Sequence, residues 1–272
     1  MMNPLLDPNA NLVLAHRGDS AFAPENTLVS LEQGLALGAD GLEFDVRLTR
    51  DGHAVLMHDA TLERTTNGIG AVSQQTLADL QKLDAGCRFS SDGGRTFPFR
   101  ARGITIPTLE SVLAAFRDVP FILELKTAEA SVEVKRLLSL AGAADRALVA
   151  SFDDAALAPF RGSAFALGAS RRDIIKLYAR ALVPGSPSHL SYDSLAIPPN
   201  FRALPLPVLR FARMARNAGR TTHVWTVDDP AQARRYWAGG VNGIITNDPG
   251  VILASAGRGR AISSARALSP VA

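Results

Sequence analysis

The sequence predicts an α/β chain closed into a (β/α)8 TIM-type barrel with a small insertion after strand two, and three observations predict it. Eight short apolar runs alternate with eight helix-like segments. At 272 residues the chain has a length that a single barrel of this kind commonly reaches. Nothing resembling GxGxxG follows the first run, which counts against the competing doubly wound sheet.

The elements follow in order. NLVLAH is a short strand-like run that ends on His16. ENTLVSLEQGLALG carries Leu28, Leu31, Leu35 and Leu37 near helical spacing, with Gly38 as a stop signal. GLEFDV is the second strand, and HAVLMHD, beyond the turn-forming Asp51-Gly52, reads as its extension. Leu109 to Phe116 is helical and FILELK is the third strand. SVEVKRLLSLAG is a helix, ALVASF the fourth strand, and DDAALAPFRG a helix begun by an acidic cap. AFALGAS is the fifth strand, RRDIIKLYARALV a helix and DSLAIP the sixth strand. PLPVLRFARMARNAG runs helical to Gly219, THVWTV is the seventh strand, DPAQARRYWAGG a helix and GIITND the eighth strand. PGVILASAG closes the pattern as a helix with Pro249 near its first turn.

One connection breaks the rhythm. From Asp59 to Pro107 it far exceeds the roughly two to six residues such loops use. It holds a short helix, TLADLQKLD, and a polar stretch, SSDGGRTFPFRARG. The expectation is one barrel domain over residues 1–257, with 59–107 as an insertion at its C-terminal mouth. Residues 258–272, with Arg258, Arg260 and Arg266 and no acids, read as a solvated, disordered tail.

Composition excludes several classes. Basic and acidic residues number 29 and 26, a net +3, and no basic run is interleaved with aromatics; a nucleic-acid partner is not expected. Cys87 is the single cysteine, so no intrachain disulfide is expected. No apolar run approaches the roughly 18–20 residues that span a bilayer, and the N-terminus lacks a basic region before its short apolar run. The expectation is a soluble, cytoplasmic protein without integral membrane association; the oligomeric state is not legible.

GLEFDV and FILELK carry charges where a core strand should not. Side chains two apart on a strand share a face, which pairs Glu43 with Asp45 and Glu124 with Lys126, while Leu42, Phe44 and Val46 point to the helices. Isolated carboxylates are costly in a core, so they must find partners, neutralise or lie at the mouth. Three carboxylates from neighbouring strand ends are hard oxygen donors suited to Mg2+ or Ca2+, with Lys126 and Arg17 offsetting charge on an anionic ligand. The alternative is an ion-pair network that only stabilises the mouth.

His16 and His58 both sit at predicted strand ends on the side where the carboxylates gather. An imidazole titrates near neutrality, so the pair can supply one base and one acid. With a cation and two fixed positive groups this describes a site for cleaving a phosphate ester. His53 and His189 fall in exposed turns; His223 shares a face with Trp225 and fills the barrel. Trp225 is read as a wall of the pocket, with a core aromatic as the alternative.

The motifs AHRGDSAFAPENT, GLEFDVRLTRDGHAVLMHDATLERTTNGIG, IPTLESVL, LELK, VWTVDDP and GVNGIITNDP, in this order from Leu12 to about Pro249, resemble the glycerophosphodiester phosphodiesterase family. The resemblance implies a TIM-type barrel that hydrolyses glycerophosphodiesters to glycerol 3-phosphate and an alcohol. It implies one divalent cation, Mg2+ or Ca2+ with Mn2+ as a further candidate, on Glu43, Asp45 and Glu124. It implies His16 and His58 as acid and base, Arg17 and Lys126 on the substrate phosphate, Glu25 and Asn26 as their support, and Arg64, Thr65 and Thr66 as anchors of the insertion. Asn247 stands where an aspartate is common in the family, and Asp228 where an asparagine is common. The polar stretch from Ser90 to Gly103 is longer than usual, which leaves the alcohol open. Two other readings are a lysophospholipase D-type lipid phosphodiesterase and a silent barrel that only binds a phosphorylated ligand.

Overall fold

A computed structural model describes residues 3–181, 190–201 and 204–259. His189, the last two residues of the predicted RRDIIKLYARALV helix and residues 260–272 of the expected tail lie outside the described residues. The strands are β1 (Leu12–His16), β2 (Gly41–Leu48), β3 (Ala54–Leu56), β4 (Phe121–Leu125), β5 (Ala147–Ala150), β6 (Ala166–Leu167), β7 (Ser194–Ile197), β8 (Asn200–Phe201), β9 (Leu204–Pro205), β10 (Thr221–Val224) and β11 (Gly243–Thr246). The helices are α1 (Leu28–Ala36), α2 (Leu77–Leu80), α3 (Leu109–Ala115), α4 (Ser131–Leu140), α5 (Asp154–Leu157), α6 (Arg171–Ala181), α7 (Val208–Asn217), α8 (Pro230–Ala238) and α9 (Pro249–Ser255).

Eight of these strands run parallel around a ring in the order β6, β5, β4, β2, β1, β11, β10, β7. The seam between β6 and β7 holds by a single bridge, Gly168 to Ser194. Beside it, Asp193 N–H donates to the Leu167 carbonyl at 2.8 Å and Ala169 N–H to that of Ser194 at 3.0 Å. The barrel is therefore nearly closed.

The two-residue period sorts the side chains. Leu42, Phe44 and Val46 of β2 join Phe121, Leu123 and Leu125 of β4 in one buried cluster under the helices, and Phe44 stacks on Phe121 with ring centroids 5.2 Å apart. A second cluster with Phe211, Leu195 and Ile244 does the same across the ring. Inside, Leu14, Ile122, Leu148 and Ile245 meet Leu5 from the N-terminal turn. Leu5 O accepts from Thr221 Oγ1 at 3.2 Å and from His223 Nε2 at 3.0 Å, and Asn3 Nδ2 donates to Ala147 O at 2.9 Å. His223 thus fills the end where the strands begin. Gly243 must be glycine there, because a Cβ would overlap the His223 ring.

The helices start where polar side chains cap them: Thr27 accepts from Ser30 N–H before α1, and Asp153, Asp229 and Asp248 do the same before α5, α8 and α9. Several elements differ from the sequence reading. HAVLMHD is no extension of the second strand: the chain reverses at Asp51-Gly52 and β3 pairs antiparallel with β2. The predicted first helix begins only at Leu28, since Asn26 adopts a positive φ of 56°. DDAALAPFRG gives one α turn that tightens into a 3-10 turn at Ala158–Phe160, where Pro159 has no N–H to continue the α pattern. TLADLQKLD is helical only over α2. The antiparallel pair β8–β9 had no sequence expectation, and Pro207 holds back the start of α7 to Val208.

Residues of the 59–107 segment build a buried cluster of their own, with Leu62, Val72, Leu80, Phe99 and Ile106 packed on Ala23, Val55 and Met57. Arg258, assigned to the tail, donates to Asn11 O at 3.0 Å and pairs with Asp40. No helix among the described residues is long and apolar enough to cross a membrane.

Candidate active site

The strand register assembles the site. In the parallel ladders His16 lies opposite Glu43, and Asp45 opposite Glu124. The inward faces of β1, β2 and β4 therefore deliver an imidazole and three carboxylates to the C-terminal mouth. One oxygen from each of Glu43, Asp45 and Glu124 lies within 4.8 Å of the others. Arg47, next along the same face of β2, donates to His58 O at 3.0 Å through Nε and 2.7 Å through Nη2.

The turn after β1 aims Arg17 back at this cluster. Arg17 has φ 57° and Gly18 φ 90°, and a Cβ on Gly18 would collide with the Ser30 backbone. Glycine alone permits this close approach. Arg17 Nε then sits 3.0 Å from Asp45 Oδ2 and Nη1 2.9 Å from Glu25 Oε1. Asn26 brackets the same aspartate, its Nδ2 donating to Asp45 Oδ2 at 2.9 Å and its Oδ1 accepting from Asp45 N–H at 3.1 Å. Lys126, just past β4, lies 2.8 Å from Asp45 Oδ1 and 3.0 Å from Glu124 Oε1.

These charges act unequally. Burial pushes the Asp45 carboxyl up, but Lys126 and Arg17 outweigh it and leave its pKa at about 2. Glu43 stays well above the ordinary carboxylate value because burial and the Asp45 charge act together and Arg17 only partly offsets them. Glu124 is raised by burial against the pull of Lys126. Burial opposes charge on Lys126 and Arg17 too, yet the surrounding carboxylates raise both.

Burial and the adjacent Arg17 lower His16 to about 4. Its Nδ1 meets Asn247 Oδ1 at 2.6 Å and its Nε2 lies 3.8 Å from Glu43 Oε2. His58 Nδ1 is 2.6 Å from Asp59 Oδ1. Asp59 is held well below its usual value by hydrogen bonding from Arg64, which outweighs burial. An unbroken line of alternating groups runs from His58 through Asp59, Arg64, Glu25 and Arg17 to Asp45 and Lys126.

His16, Arg17, Glu43, His58, Glu124 and Lys126 line one cavity of about 270 Å³ whose walls include Phe152 and Trp225. The two rings meet edge to face with centroids 5.9 Å apart. Asp45 lies buried directly behind the lining. A larger open groove of about 880 Å³ between α3 and α4 has no histidine in its lining. Of the remaining histidines, His53 is exposed and His223 sits at the far end of the barrel.

The carboxylates fit a cation by their chemistry. All three donors are oxygens, as a hard divalent ion requires. Asp45 Oδ1 is buried and, although Lys126 Nζ is close, receives no well-directed hydrogen bond. Sequence reasoning missed Asp59 as the partner of His58, Arg47 as its backbone anchor, and Ser151 and Phe152 in the cavity wall. Phe152 is the last residue of the predicted fourth strand, ALVASF, and that place at a strand's C-terminal end was the available signal.

Comparison with known proteins bears on this geometry. The description "Glycerophosphoryl diester phosphodiesterase family" belongs to the family profile that matches residues 16–251. A glycerophosphodiester phosphodiesterase of Caldanaerobacter subterraneus subsp. tengcongensis is 34% identical over 250 residues, spanning 89% of this chain and 96% of the relative. The crystal structure of a glycerophosphodiester phosphodiesterase from Agrobacterium tumefaciens superposes with a TM-score of 0.72 at 28% identity, over 93% of this chain and 100% of that one. A phosphodiesterase from Oleispira antarctica, solved with the product sn-glycerol-3-phosphate, gives 0.71 at 27% identity, over 90% and 96%.

Proposed function

Because the chain belongs to the glycerophosphoryl diester phosphodiesterase family, we propose that its mouth cluster hydrolyses glycerophosphodiesters to glycerol 3-phosphate and an alcohol. The observation that carries this reading is the convergence of Glu43, Asp45 and Glu124 within 4.8 Å beside the His16 ring.

Glu43, Asp45 and Glu124 would hold one divalent cation, Mg2+ or Ca2+ or alternatively Mn2+, which when bound supplies Lewis-acid stabilisation of the phosphoryl oxygens. Arg17 and Lys126 hold those oxygens from the cavity wall and oppose the charge that grows on them. One of His16 and His58 takes the proton from the attacking oxygen, and the other protonates the departing alkoxide. The attacking oxygen is that of water, or that of the glycerol 2-hydroxyl with water then opening the cyclic phosphate. Phe152 and Trp225 exclude water from one side. Residues 59–107 would supply the rim that meets the alcohol.

The test is release of glycerol 3-phosphate from glycerophosphocholine, glycerophosphoethanolamine and glycerophosphoglycerol, with lysophosphatidylcholine as a contrast. Mg2+, Ca2+, Mn2+ and chelator are run in parallel. Turnover with a divalent cation and none with chelator is expected. A folded protein that releases nothing from any diester with any of the three cations would sink the reading.

A further inference from the structure

Asp228, Asn247 and His16 form a hydrogen-bonded line that ends at the cavity. Asp228 Oδ1 accepts from Thr246 Oγ1 and from the Asn247 backbone N–H, each at 2.8 Å, and Asp228 Oδ2 accepts from Asn247 Nδ2 at 2.9 Å. Asn247 Oδ1 accepts from Ser20 Oγ at 3.0 Å and faces His16 Nδ1 at 2.6 Å.

A carboxylate only accepts, so Asn247 must turn its NH2 toward Asp228; the opposite orientation would press two oxygens together. That leaves the amide oxygen toward His16. An amide oxygen also only accepts, so the ring hydrogen of His16 belongs on Nδ1. Nε2 then keeps its lone pair, 3.8 Å from Oε2 of the cavity-lining Glu43.

We propose that Asp228, acting through Asn247, is a positioning residue that locks His16 in its Nδ1–H tautomer, so that His16 enters the reaction as the proton acceptor. The departing alkoxide is then left to His58. The role given to His16 rests on the proposed hydrolysis; the tautomer lock does not.

The decisive variant is Asp228→Asn. The single oxygen of the new side chain is claimed by Thr246 and the Asn247 backbone, so its NH2 faces Asn247. Asn247 must then turn its oxygen outward and its NH2 to His16, which moves the ring hydrogen to Nε2. Long-range 15N–1H NMR of the full chain labelled at histidine, with Mg2+ present, reads this directly, and His16→Gln assigns the signal. Wild type should show Nδ1 protonated and Nε2 bare; Asp228→Asn should show the reverse. Its kcat should fall by ~10²-fold or more while KM changes by less than about threefold. The double variant Asp228→Asn/Asn247→Asp puts a carboxylate next to the ring, accepting from both neighbours, and should restore the tautomer and most of kcat. A bare Nδ1 in wild type, an unchanged tautomer in Asp228→Asn, or a double variant as slow as the single one would each overturn the lock. A tautomer that switches while kcat holds would leave the lock standing and overturn the proton-transfer role of His16.

Discussion

Arg64 grips Glu25 with both Nη nitrogens at 2.7 Å, across a sequence separation of 39 residues, while its Nε holds Asp59 at 2.6 Å. One side chain of the inserted segment therefore fixes the partner of Arg17 and the partner of His58 together. Arg64→Ala should cost no more than about 1 kcal/mol of stability, because the side chain is 48% exposed and such pairs are worth little in water. Its activity should nonetheless fall about tenfold, as expected when reacting groups lose their alignment. Chemical denaturation beside steady-state kinetics checks both halves, and equal losses in the two would count against the alignment argument.

Cation binding should release a proton. Glu43 is held well above the usual carboxylate range by burial and by Asp45, yet it can serve as a ligand only when ionised. Apparent affinity should therefore rise with pH until Glu43 is ionised without the ion as well. Titration calorimetry in two buffers of different ionisation enthalpy measures the released proton. Glu43→Gln should abolish it and weaken binding by more than the ~10–100-fold typical of altering a ligand's support. Chelation should lower Tm, since a ligand at 100 times its Kd adds about 3 kcal/mol.

His16→Ala and His58→Ala should each lower kcat by ~10²–10⁴. In the proposed mechanism both rings serve one proton transfer cycle, so the double variant should lose less than the product of the two factors. Single-turnover rates on variants with wild-type circular dichroism provide the check; near-normal rates in the double variant would refute the two-imidazole mechanism.

Acid should loosen the barrel through His223. Burial lowers its pKa from 6.5 to about 4 in the folded chain, although the contact to Leu5 O works the other way. Between these values the unfolded chain binds the proton and the folded chain does not, so stability rises with pH across the window. The contribution is complete above about pH 6.5 and lost as pH falls toward about 4, amounting to about 3 kcal/mol at most. Thermal melts at pH 7.5, 5.5 and 4.5 should show His223→Gln losing less Tm on acidification than wild type.

Much of this was legible in the chain. The alternation of strands and helices gave the barrel, and the two-residue period placed Glu43, Asp45, Glu124 and Lys126 on one inward face, because both are local regularities of the backbone. What escaped depends on contacts between distant segments. Nothing local says that Arg64 meets Glu25, or that HAVLMHD folds back on GLEFDV rather than continuing it. Asn247 and Asp228 each read, taken singly, as a departure from the family pattern that the motifs resemble. In space they bond to each other, so the two departures amount to one exchange of amide and carboxylate.

Leu5, wedged with His223 and Gly243 into the far end of the ring, makes the cavity a cul-de-sac. Among the described residues that end is plugged, so diester, water and both fragments would share the mouth at the C-terminal ends of the strands. A lingering fragment therefore blocks the next diester, and glycerol 3-phosphate should act as a competitive inhibitor.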